Sequence, residues 1–134
     1  MDKDRHIGGH SVPSDVTMAR VWAETLEDRE AKRSGLPVAS ARLIVARKTG
    51  VPEGKLYSLR RNRLKSIGSE FLNRLGSRLI AELQHELAQV EHELQTYRAI
   101  GAHPDSGEVL SALASREKIR AALGLAVPSS AEGE

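Results

Sequence analysis

Eight cationic side chains stand within residues 42–65: Arg42, Arg47, Lys48, Lys55, Arg60, Arg61, Arg63 and Lys65. Glu53 is the one acid among them, so the stretch carries +7. An ordinary solvated face mixes both signs; a face of one sign is a surface for a polyanion. Other chemistry is poorly served. There is no phosphate loop, no pairing of nucleophile with base and no carboxylate cluster, so no enzyme activity is expected. The absence of cysteine removes disulfides, thiolate zinc sites and a cysteine nucleophile. His85-Glu86-Leu87 and His92-Glu93-Leu94 repeat at a spacing of seven. Histidines so spaced share a helix face yet lie ~10 Å apart along it, too far for one ion. His6 and His10 fall in a polar, glycine-containing tail and read as incidental. No metal and no cofactor are expected.

Two short helices and a tight turn would position the cations. Leu43, Ile44, Val45 and Ala46 give residues 42–49 an apolar side. Gly50 follows, where a helix commonly ends in the left-handed conformation that glycine takes without steric cost. Val51 is the apolar plug of the corner. Pro52 suits the first position of a second helix, and Glu53 complements its positive end. That helix runs from about Pro52 to Asn62. At the helical repeat Leu56 and Leu59 form its buried side, and Gly54, Tyr57, Ser58 and Arg61 its opposite side, flanked by Glu53, Lys55 and Arg60. Gly54 costs a helix about 1 kcal/mol against alanine. Close approach of a duplex backbone at that position would account for it.

Residues 40–63 resemble the helix-turn-helix family of phage repressors and Cro-like regulators. Ala46 resembles the small residue that family keeps where the two helices cross, Gly50 its turn glycine, and Val51, Leu56 and Leu59 its apolar anchors. The resemblance implies that Pro52, Glu53, Gly54, Tyr57, Ser58 and Arg61 face a DNA groove and that Arg42 lies near a phosphate. Downstream the chain departs from the family, with one long helix where two short ones are usual.

The surrounding chain reads as all-α. It has 134 residues, few aromatics (Trp22, Tyr57, Phe71, Tyr97) and abundant Leu, Ala, Glu and Arg. No apolar run approaches the ~20 residues that span a bilayer, and the polar N-terminus is no signal peptide, so a cytoplasmic location with no membrane partner is expected. Ser14 or Asp15 can cap a helix over 15–33, with Val16, Ala19, Trp22 or Ala23, and Leu26 inward and Glu24, Asp28, Glu30 and Lys32 on the far side. Trp22 should pack on the two helices that follow. Gly35 and Pro37 end this helix. Ser69 can cap a long helix to about Ala99, roughly 45 Å, striped by Leu72, Leu75, Leu79, Leu83, Leu87, Val90, Leu94 and Tyr97. Gly101 and Pro104 stop it. Asp105 with Glu108 resembles a capping box for a return helix over 106–123, closed by Gly124.

The expected organisation is therefore a disordered tail (1–11), a tri-helical helix-turn-helix unit (12–68), a helical hairpin serving dimerisation (69–124) and a second disordered tail (125–134). Residues 1–68 carry a net +6 and residues 69–134 a net −4. The expected function is sequence-specific binding of double-stranded DNA by a homodimer, as a transcriptional regulator. Two reading helices about 34 Å apart would meet an inverted repeat. Arg42, Lys48, Lys55, Arg60, Arg63 and Lys65 would supply grip; Gly54, Tyr57, Ser58 and Arg61 would supply choice of sequence, with Glu53 beside them at the DNA-binding face. The long leucine stripe would form the seam between copies, as in a coiled coil. The alternative is a DNA-anchored adaptor whose hairpin recruits a polymerase or a recombination complex. Recognition of folded RNA is a third reading.

Overall fold

A computed structural model describes residues 14–126. Among them are five helices and no strand, as the composition requires: α1 (Asp15–Ser34), α2 (Val38–Thr49), α3 (Glu53–Arg60), α4 (Ser69–Ala99) and α5 (Gly107–Ala126). None is long and apolar enough to cross a membrane. The tails expected to be disordered lie outside the described residues, except that Leu125 and Ala126 belong to α5. The chain divides into two units, one ending at Leu75 and the other beginning at Gly76. The boundary sits inside α4, later than the expected residue 68. The reason is packing: Leu75 has no exposed surface, the Lys55 ammonium lies 5.9 Å from the Phe71 ring, and Arg74 Nη1 donates to the Gly50 carbonyl at 3.5 Å.

In the first unit each helix has a chemical start or stop. Ser14 caps α1, accepting from the Thr17 N–H at 3.1 Å. Gly35, at φ 70°, ends it, and the Leu36 N–H returns to the Ala31 carbonyl. Pro37 is the N-cap of α2, which begins at Val38 rather than Arg42. A proline that ends one helix can open the next, because the N–H it lacks is needed to continue a helix but not to start one. Gly50 takes φ 79° and closes α2. The Thr49 hydroxyl donates to the Val45 carbonyl and accepts from the Val51 N–H, so the corner is tied from within. α3 is shorter than expected. Asn62, at φ 58°, lets the Arg63 N–H reach the Ser58 carbonyl and the Asn62 N–H reach Leu59. Asparagine tolerates that conformation better than most residues, and the chain leaves the helix there.

The three helices pack pairwise. Ala19, Ala23 and Ala41 are small and fully buried on α1 and α2, which permits close axes. Trp22, Leu26, Val45, Val51, Leu56, Leu59 and Leu75 complete the core. Each large apolar chain taken from water in this way is worth about 1.5–3 kcal/mol.

The second unit is a helical hairpin. Gly101 at φ 77° and the Ala102 N–H returning to Tyr97 end α4. Ser106, not Asp105, caps α5: its hydroxyl accepts from the Val109 N–H at 3.3 Å. Gly124 lies within α5 rather than closing it. Arg120 of α5 pairs with Glu91 of α4 at 3.3 Å, as an antiparallel return places them. The leucine stripe of α4 is unevenly covered. Leu75, Leu79, Leu83 and Leu94 are buried within a single chain, and Leu72, Leu87, Val90 and Tyr97 are half-buried.

Candidate nucleic-acid interface

The first unit is organised around an acid that the periodic pattern of α1 hides. Glu27 has 0% exposure and accepts from two arginines of other elements: Arg42 Nε at 3.3 Å and Arg60 Nε at 2.8 Å. Arg60 also reaches Asp28 Oδ1 at 3.0 Å and the Glu24 carbonyl at 3.5 Å. One carboxylate thus joins α1, α2 and the end of α3. Burial pushes the Glu27 carboxyl above its ordinary value, and the hydrogen bond from Arg60 and the charges of both arginines pull against it. One turn on, Glu30 is buried as well. It takes Lys48 Nζ at 2.9 Å, Arg33 Nη1 at 2.7 Å and the Ser34 hydroxyl. Hydrogen bonds from Lys48 and Ser34 hold its carboxyl below the ordinary value against desolvation.

These pairs redistribute the cations of residues 42–65. Arg42 is 6% exposed, so it is a core residue and not an arm for phosphate. Arg60 and Lys48 are likewise turned to α1, by Glu27 with Asp28 and by Glu30. Arg47, Lys55, Arg61, Arg63 and Lys65 make no ion pair among the described residues, and all but Lys55 are exposed. Arg47 contributes to the charge of residues 42–65 and is exposed on α2. Its exposure beside the paired Lys48 puts it with the outward group.

The face of α3 follows the helical repeat. Leu56 and Leu59 are fully buried; Glu53, Gly54, Tyr57 and Arg61 are exposed; Lys55 and Ser58 are half-buried. A Cβ built on Gly54 would meet nothing within 4 Å, so no neighbour in the fold demands a glycine there. Tyr57 is held by cations. The guanidinium carbons of Arg42 and Arg61 each lie 5.4 Å from its ring centroid, within the range of cation–π attraction. A line of contact therefore runs from buried Glu27 through Arg42 and Tyr57 to exposed Arg61. That line ends at Arg61, whose guanidinium can donate two hydrogen bonds to one acceptor edge.

Glu27 and Glu30 are the residues that the sequence reading missed. Glu30, expected on the far side of α1, is 5% exposed. The signal was present: Ala19, Ala23 and Glu27, and Trp22, Leu26 and Glu30, are spaced by four, so both acids continue the buried stripe. A carboxylate in such a place requires cationic partners. No group of metal-ligating side chains occurs among the described residues. No protein-family model, curated protein or solved structure matches the chain.

Proposed function

We propose that this protein binds double-stranded DNA in a sequence-specific manner, with α2, the Gly50–Pro52 corner and α3 serving as a helix-turn-helix, and that it acts as a transcriptional regulator. The observation that carries the reading is the division of α3. Its leucines are buried without remainder, while Gly54, Tyr57 and Arg61 stand outward, with Arg63 and Lys65 exposed just beyond. Such a face has the donors to read base edges and the charge to hold phosphates. Arg61 and Tyr57 make the base-edge contacts in this reading. Arg47, Lys55, Arg63 and Lys65 grip the backbone. Arg42, Lys48 and Arg60 shape the surface from behind without touching DNA.

Two copies on an inverted repeat belong to the same proposal. Their seam draws on surface other than the buried leucines, and Leu72, Leu87, Val90 and Tyr97 are the half-buried remainder of the stripe. The experiment is selection of bound duplexes from a random pool by the purified full-length chain, followed by footprinting. A recovered motif with two-fold symmetry supports the reading whole, and a motif without symmetry removes the paired copies. Recovery of no motif, with diffuse binding, overturns sequence-specific regulation and favours the adaptor.

A further inference from the structure

We propose that the turn end of the α4–α5 hairpin is a binding site for a small amphipathic carboxylate, with Arg116 as its anion partner. A cavity of about 320 Å³ opens there, toward the small end of the range that holds organic ligands. Leu94, Tyr97, Val109 and Leu113 give it an apolar wall, and Arg98 and Arg116 are its charged groups. An inorganic anion leaves that wall wet, and a neutral hydrocarbon leaves the arginines unanswered. A carboxylate carried on a short apolar body satisfies both.

The case for Arg116 comes from its neighbour on the helix. Arg116 and Arg120 are four apart and share a face of α5. Arg120 meets carboxylates, Glu91 at 3.3 Å and Glu117 at 3.8 Å. Arg116, one turn nearer the loop, lines the cavity, and its Nε is buried without an acceptor. A buried guanidinium N–H without a partner is unfavourable, and few such groups persist in folded proteins without a reason. A carboxylate takes two guanidinium N–H groups at once, which answers Nε together with a terminal nitrogen. Every group used here lies in the second unit, so the site stands or falls apart from duplex binding.

The test is titration of the isotopically labelled full-length chain with sodium octanoate, followed by amide and arginine Nε–Hε resonances. Saturable shifts confined to residues 94–116 and including Arg116 Nε–Hε are expected. Arg116→Gln should weaken binding by about tenfold or more, and uncharged 1-octanol should bind the native chain weaker by a similar factor. Arg98→Gln, at an exposed position, should weaken it less. Circular dichroism verifies that each variant is folded. Equal affinity for octanol and octanoate overturns the proposal, as does unchanged affinity in folded Arg116→Gln. Absence of saturation by about 10 mM overturns it too. So does a dimer by light scattering whose interface covers the same residues and excludes octanoate, since the occupant is then a second copy.

Discussion

The two units hold themselves together by different means. In the first, three helices surround their core, and side chains such as Leu26, Leu56, Leu59 and Leu75 lose all contact with water. In the second, two helices meet along one seam, and Leu87, Val90, Tyr97, Val109 and Leu113 are only half-covered. Their charge pairs differ in the same sense. Glu27 is wholly buried with two arginines, whereas Arg120 and Glu91 keep 50% and 44% of their side-chain surface. Enclosure makes a charge expensive to leave unpaired, and exposure makes a pair nearly neutral. The first unit is therefore the more sensitive to loss of a partner, and the second keeps surface for one.

The largest effect separating the units should come from Glu27→Ala. It strands the buried Arg42 guanidinium, leaves Arg60 only the exposed Asp28 as a carboxylate partner, and should cost about 3–5 kcal/mol, read by urea unfolding through the fluorescence of Trp22. Glu91→Ala should cost less than about 1 kcal/mol, read by circular dichroism. Similar losses from the two would erase the contrast. Next comes a division within the first unit. Arg61→Ala should remove about 1–3 kcal/mol of discrimination between duplex sequences while leaving the Trp22 midpoint in place. Arg60→Ala should do the reverse, lowering the midpoint first; a selective loss of discrimination from Arg60 with normal stability would reassign it to the proposed DNA face. Gly54→Ala should stabilise the fold by up to about 1 kcal/mol, because its methyl meets no neighbour, and should weaken duplex binding. A variant both more stable and equally tight would remove the reason given for the glycine.

Smaller shifts are expected with pH. The Glu30 carboxyl is held below its ordinary 4.5, so its contribution is complete above 4.5 and is lost as pH falls through the lowered value. Glu30→Gln should flatten the acid limb of the stability curve. Glu27 is pushed the other way, so its own contribution declines as pH rises from 4.5 through the raised value. A steeper acid limb in Glu30→Gln would contradict the assignment. The smallest effect is Lys65→Ala, which should lower the salt slope of duplex binding by about 1 and weaken all sequences alike.

Punctuation residues made much of the fold legible. Gly35, Gly50 and Gly101 stop helices where they stand, Ser14 starts one, and the alternation of Leu56 and Leu59 with Gly54, Tyr57 and Arg61 fixes the two sides of α3. Less was legible where one residue type has two uses. Pro37 ended α1 and also opened α2, four residues earlier than the apolar run indicated. Asn62 looked like helix and was its stop. The stripe of α4 is covered in part within one chain, and periodicity identifies a covered face without identifying the cover.

The order of residues alone determined the helices, their approximate ends and the excess of positive charge around α3, since these depend on neighbours a few positions away. Which of those charges face outward was decided only when α1 came to lie against α2 and α3. Glu27 is 15 residues from Arg42 and 33 from Arg60 along the chain. Coulomb attraction between groups so distant in sequence exists only once packing has closed the distance and excluded water, and that step tied three of eight cations to acids of α1.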